Sequence, residues 1–284
     1  MKKIIGLILL YFSIATALSQ DKAAYQIFNA KGEKVNYQVL MDSLKKSEII
    51  LFGELHNNPI AHWLQYEVSL EILTEHQLVF GAEMFEADNQ EALNLYLADS
   101  IDEKGLDSLA RLWINYNTDY APLVDLAKKH NQPFIATNVP RRYANKVYKK
   151  GFEALDSLPE NEKRWIAPLP IEYDPELPGY KNMLQMMGGH GGENLPKAQA
   201  IKDATMAYFI AQHFSLPKKF IHFHGTYHTD NYEGILWYLK KLLPDVQYIT
   251  LSTVEQSSVH QLEKENVGKA DFIICVDNDM TPTY

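Results

Sequence analysis

Six short apolar runs set the terms on which this chain can fold. They are Glu48–Leu55, Gln77–Met84, Pro133–Val139, Lys219–His224, Val246–Leu251 and Asp271–Val276. Most are nearly continuous in apolar residues rather than alternating, the mark of strands covered on both faces and hence of a parallel sheet. Helical patterns lie between them. Ile60–Thr74 repeats apolar residues at helical spacing, and Asp88–Leu97 opens with Asp88 and Glu91 at the spacing of a capping box. Tyr120–His130, Pro196–Phe214 and Tyr232–Leu243 follow. Strand–helix alternation of this kind predicts an α/β fold with a mainly parallel sheet flanked by helices. Residues 159–196 interrupt it with six prolines, Met183, Met186, Met187 and the run Gly188-Gly189-His190-Gly191-Gly192. That stretch is too long for an ordinary connection and is expected to be a lid, a binding loop or a small helical insertion.

The first twenty residues, MKKIIGLILLYFSIATALSQ, combine a lysine pair, an apolar run and small residues before a cleavage point. This is the pattern of a secretory signal peptide over residues 1–19, cut after Ala17 or Ser19. The run is shorter than the roughly 20 residues of a spanning helix. The leader has no cysteine, so the expectation is an exported protein, periplasmic or associated with the outer membrane, and not a lipoprotein. Residues 20–284 are read as a single domain. Without Lys2 and Lys3, 27 − 2 = 25 basic residues face 36 acidic ones, a net charge of −11. A nucleic-acid partner, which rewards basic patches, is excluded on that ground. Cys275 is the single cysteine. No internal disulfide and no Cys-x-x-Cys-His haem attachment is available, and a thiol inside an apolar run reads as buried and inert.

The strand ends carry the chemistry. In LFGELHNNPIAHWLQYE, Glu54 and His56 are two apart and project to the same side of an extended backbone. Asn58 reads as an N-cap and Pro59 as the first helical residue. His62 then falls in the first turn, where the helix dipole favours a neutral imidazole. LVFGAEMF ends on Glu83, PFIATNVPRR on Asn138, Arg141 and Arg142, and KFIHFHGTYH on His224, Gly225 and His228. His222 and His224 alternate with Ile221 and Phe223 and read equally as satisfied core histidines. In open α/β sheets, ligands collect beyond the carboxyl ends of the strands. If the strands are adjacent, Glu54, His56, Glu83, Asn138 and His228 share one rim, suited to a divalent metal or to acid–base chemistry. Glu54 and Glu83 close together would repel unless a cation lay between them. Glu54, His56, His62, Glu83 and His228 are therefore the candidate ligands for zinc or manganese. No zincin helix, Gly-x-Ser-x-Gly elbow, P-loop or dinucleotide fingerprint is present.

The same residues carry a resemblance. FGELHNNPIAHWLQ, FGAEMFE, LWINYNTDYAPLVDLAKKHNQPFIATNVPRR, AQAIKDATMA and HGTYHTDNYEGI together resemble the ChaN-like haem-binding uptake family. That family belongs to a superfamily with Tiki proteases, TraB proteins and erythromycin esterases. The resemblance implies an erythromycin-esterase/ChaN-like α/β sheet with its site at one rim. It also implies haem as the cofactor, in the service of iron uptake at the bacterial envelope alongside envelope haem-transport components. It implies haem held in a homodimer, with a tyrosine as axial ligand and a histidine of the other subunit near the propionates. Tyr180, in the irregular segment beside three methionines, is the expected ligand and His190 the propionate partner. Arg141 and Arg142 are candidates to meet the propionates as well. The alternative the superfamily implies is a hydrolase, Tiki-like or esterase-like. There His56 would be general base or ligand, Glu54 and Glu83 orienting or ligating carboxylates, and His228 ligand or oxyanion partner. Two departures stand out: the leader lacks a lipoprotein cysteine, and Gly225-Thr226-Tyr227-His228 stands where the family more often has Gly-Asn-Gly-His.

Overall fold

A computed structural model describes residues 22–186 and 192–284. The expected signal peptide, Met187 and His190 lie outside the described residues. The strands are β1 (Tyr25–Asn29), β2 (Lys34–Val35), β3 (Ile49–Glu54), β4 (Leu78–Glu86), β5 (Phe134–Asn138), β6 (Lys219–Gly225), β7 (Tyr248–Gln256) and β8 (Phe272–Asp277). The helices are α1 (Tyr37–Leu44), α2 (Pro59–Leu73), α3 (Gln90–Leu97), α4 (Glu103–Leu109), α5 (Ala121–Lys129), α6 (Arg141–Lys150), α7 (Glu160–Lys163), α8 (Pro178–Met186), α9 (Asn194–His213) and α10 (Ile235–Leu242).

One eight-stranded sheet runs in the order β2-β1-β8-β7-β3-β6-β4-β5. All six expected runs are strands, and they pair in parallel from β8 across to β5. The hairpin β1–β2 was not legible in the sequence; it closes one edge by pairing antiparallel to β8. Alternate residues of β3 feed two cores. Ile50 and Phe52 face α2, α3 and α5 together with Phe80 and Phe223, while Ile49 and Leu51 face α6, α9 and α10 together with Val79 and Phe220. Burial on both sides explains why these strands read as unbroken apolar runs.

The local signals at the helix starts are realised in part. Asn58 caps α2, its side chain accepting from the backbone N–H groups of Ile60 and Ala61 at 3.1 and 3.0 Å, with Pro59 first in the helix. The capping box at Asp88 does not form. α3 starts two residues later and has no side-chain cap. Asp88 instead binds Arg111 and, at 2.6 Å, Arg142. Two guanidinium partners outcompete one backbone N–H for a carboxylate. The proline-rich segment is built into the molecule over its first half, because Ile166, Ala167 and Ile171 are buried in the second core.

Candidate functional site at the strand ends

β3 delivers Glu54 to the carboxyl edge with its side chain fully buried. A buried carboxylate needs hydrogen-bond partners, and Glu54 has three. Tyr120 donates to Oε1 at 2.7 Å, His56 Nδ1 to Oε1 at 2.9 Å, and Gln65 Nε2 to Oε2 at 2.5 Å. Burial works to raise the Glu54 carboxyl. The His56 hydrogen bond and the nearby charge of His62 outweigh it, so the group stays below its ordinary range. Burial likewise works to lower His56, but the bond to Glu54 and the charge of Glu83 carry it upward. With Nδ1–H committed to Glu54, neutral His56 holds its lone pair on Nε2. The His56 side chain is 34% exposed, and Trp113 meets its ring edge-on at 4.9 Å.

A second pair forms beside the first. Glu83 Oε2 accepts from the backbone N–H of Gly225 at 2.9 Å, and Oε1 faces His228 Nε2 at 3.0 Å. His228 Nδ1 faces Asp203 at 2.5 Å. Burial opposes protonation of His228, but the two carboxylates outweigh it and push its pKa up to about 9. Glu83 is also buried, yet the charge of His228 holds it well below the carboxylate range. The imidazolium of His228 thus lies between Glu83 and Asp203, a different pair from the Glu54 and Glu83 between which a cation was expected. Gly225 allows this closeness, since a Cβ there would lie 2.9 Å from His56 Nε2 and 3.6 Å from Glu83 Oε2.

Glu54, His56, Glu83, Asn138 and His228 thus come together on one rim, as expected. The metal reading does not carry over. Glu54 and Glu83 accept hydrogen bonds on every oxygen, and both ring nitrogens of His228 face carboxylates. His62 has its two ring nitrogens facing Gln65 Oε1 at 3.2 Å and the backbone oxygen of His56 at 3.1 Å, and it does not line the cleft. Among the described residues, no group of three or more His, Cys, Asp or Glu side chains is arranged to hold a metal ion.

The remaining candidates divide. His222 and His224 are core histidines. Thr137 donates to the backbone oxygen of Ala82 at 2.9 Å, and its hydroxyl oxygen accepts from His222 Nε2 at 2.7 Å. His222 Nδ1 then accepts from His224 Nδ1 at 3.0 Å, and His224 Nε2 accepts from Thr229 at 2.8 Å. Burial keeps both neutral, with His224 lowered to about 3. Arg142 is occupied by Asp88 and lies 4.5 Å above the Tyr143 ring, whereas Arg141 lines an open cleft. Tyr180 sits behind the rim, 4% exposed, and donates to Asp203 at 3.1 Å. Burial and the Asp203 charge raise its phenol far above the ordinary value, the opposite of what a phenolate ligand needs. Tyr227 turns its hydroxyl to the backbone oxygen of Gly179 at 2.7 Å.

The cleft has a volume of about 620 Å³, within the usual range for ligand sites. His56, Glu83 and Asn138 lie at its base, Leu112, Trp113 and Ile114 form an apolar wall, and Arg111, Arg141 and Lys202 add positive charge. Tyr284 also lines it, anchored through Thr283, whose hydroxyl donates to Asp119 at 2.7 Å. Nothing local in the sequence marks Trp113, Asn115, Tyr120, Gln65 or Lys202 for a role in the site. Their only signal was membership of the quoted motif tracts, and their contacts are long-range.

The family model described as "Haem-binding uptake, Tiki superfamily, ChaN" matches residues 40–239. Among solved structures, ChaN of Campylobacter jejuni, described with cofacial haem binding, is similar in fold with a TM-score of 0.68 at 15% identity, over 89% of this chain and 97% of its own. An erythromycin esterase, EreC in its open conformation, is similar with a TM-score of 0.50 at 10% identity, over 89% of this chain and 97% of its own. No curated protein matches the chain.

Proposed function

The chain belongs to the ChaN family of haem-binding uptake proteins in the Tiki superfamily, and from that premise we propose that it binds haem in the cleft at the strand ends. The observation that carries the reading is the apolar wall. Ile114 is 91% exposed beside Trp113 and Leu112, all lining the cleft next to cationic side chains. An apolar face left open above a polar floor suits a flat macrocycle with acidic edges. When bound, the iron supplies ligand exchange and redox chemistry; the protein's part is to bury the ring, exclude water and meet the propionates. Tyr180 is not assigned as the axial ligand, because its phenol is engaged by Asp203. Two copies around stacked haems, and export on the strength of the leader to work with envelope haem-transport components, complete the proposal. The test is a titration of purified protein with hemin, followed at the Soret band. A saturable shift is expected, retained in Tyr180→Phe. A linear, non-saturating rise would overturn the haem reading.

One observation favours a second reading. Glu54 orients His56 at 2.9 Å so that Nε2 carries the lone pair at the cleft floor. Such a dyad can take a proton from water as the water oxygen adds to an ester carbonyl. It can then return that proton to the leaving oxygen as the C–O bond breaks. This reading expects turnover of simple aryl esters, lost on His56→Ala and on Glu54→Gln; equal rates in the variants and the parent protein would remove it.

A further inference from the structure

Two cations of the cleft stand apart from its ion pairs. Glu83 is matched by His228 at 3.0 Å, and Glu86 by Arg111 at 2.8 Å. Arg141 and Lys202 line the same cleft, and neither forms an ion pair among the described residues. His228 is shared with Asp203 and Arg111 with Asp88, so what distinguishes the cleft is two cationic side chains without an ion pair, not a net positive charge. Arg141 is also badly placed for stability. It is the first residue of α6, whose first turn has no acidic residue and no side-chain cap. A cation there opposes the helix dipole, a cost that a bound anion reverses. Lys202 reaches the cleft from α9, on a different element, and its charge is felt by Glu83.

A third group points the same way. Asn138 is 8% exposed, lines the cleft, and gives its Nδ2 to the backbone oxygen of Glu83 at 2.9 Å, while its Oδ1 has no partner. A water that donates one hydrogen to that oxygen and the other to a ligand carboxylate satisfies both.

We propose that Arg141 and Lys202 form a carboxylate clamp that selects a flat apolar ligand bearing two acid groups. The clamp rests on the haem reading for its natural occupant, whose two propionates would meet the two cations. Recognition then depends on the acids and the ring, and the iron is not required for entry. Metal-free protoporphyrin IX is a ligand of the site, and its dimethyl ester is not.

The experiment compares hemin, protoporphyrin IX and their dimethyl esters on the full chain. The readouts are the Soret band for hemin, porphyrin fluorescence for the metal-free ring, and circular dichroism to confirm folding of each variant. The parent protein is expected to bind both free acids. Esterification, Arg141→Gln and Lys202→Gln are each expected to weaken binding by roughly tenfold or more, and less so at high salt. Hemin binding that neither esterification nor the two substitutions alters would overturn the clamp and leave the haem reading standing. Binding of protoporphyrin IX with these dependences but no binding of hemin would support the clamp and remove the haem reading. Failure of both free acids to bind would remove both.

Discussion

At the residue scale, the rim is stabilised by where its protons sit. His228 lies between Glu83 and Asp203, and its pKa is raised from 6.5 to about 9. A histidine raised on folding contributes stability that is complete below about pH 6.5 and lost as pH rises through about 9. Glu54 and Glu83, both lowered, contribute stability present above their ordinary value of 4.5 and lost as pH falls below it. Thermal unfolding across pH should therefore give a Tm that declines on both the acid and alkaline sides. His228→Gln should remove the alkaline decline, and an unchanged alkaline limb in that variant would contradict the assignment. Gly225→Ala is a second test of the same crowding. Its Cβ would come within 2.9 Å of His56 Nε2 and 3.0 Å of His56 Cε1, so the variant should lose both Tm and hemin affinity. Glu54, Glu83 and His228 were legible because each ends an apolar run with a polar group. Gln65, Tyr120 and Asp203 were not, because they lie 11, 66 and 25 positions in sequence from the groups they bind. A hydrogen bond across such separations leaves no local trace in the sequence.

At the scale of elements, the strands were the most legible part, since parallel strands buried on both faces need unbroken apolar runs. The β1–β2 hairpin lacks that signature: its strands are short and only partly buried, and edge position relaxes the demand for apolar residues. The start of α3 departs from the sequence pattern because Asp88 can cap the helix or bind arginines, and the arginines prevail. Two helix starts invite opposite tests. Asn58→Ala removes a cap and a bond to Glu255 at 2.9 Å, and should cost about 1 kcal/mol by denaturant unfolding. Arg141→Glu places a favourable charge at the start of α6 and should gain about 0.5 kcal/mol by the same measurement, while losing affinity for the acidic ligand. A fall in stability would mean that Arg141 is held by contacts within the protein.

At the scale of the molecule, the sheet brings Glu54, Glu83 and Asn138 to the carboxyl ends of three strands, with His56 and His228 just beyond. The cleft gathers α6, α9, the 111–115 segment and the residues that follow β8 over those ends. A ligand bound there touches β4, β5, α6, α9 and His56 just after β3, so hemin at saturating concentration should raise the Tm of the whole molecule in one transition. Cys275 is buried and its thiol is pushed up to about 11, so thiol reagents should leave both stability and binding untouched in the folded state.

The helix α8 is moored to the rim at three points. Gly179 N–H reaches Glu233 at 2.7 Å, the Gly179 backbone oxygen receives Tyr227 at 2.7 Å, and Tyr180 reaches Asp203 at 3.1 Å. Asp203 in turn holds His228, and His228 holds Glu83 on the cleft floor. A tug on Glu83 from inside the cleft would therefore be transmitted, bond by bond, to α8. Amide exchange over residues 178–186 would report it as a change in protection when the cleft fills, with Tyr180→Phe cutting the cable.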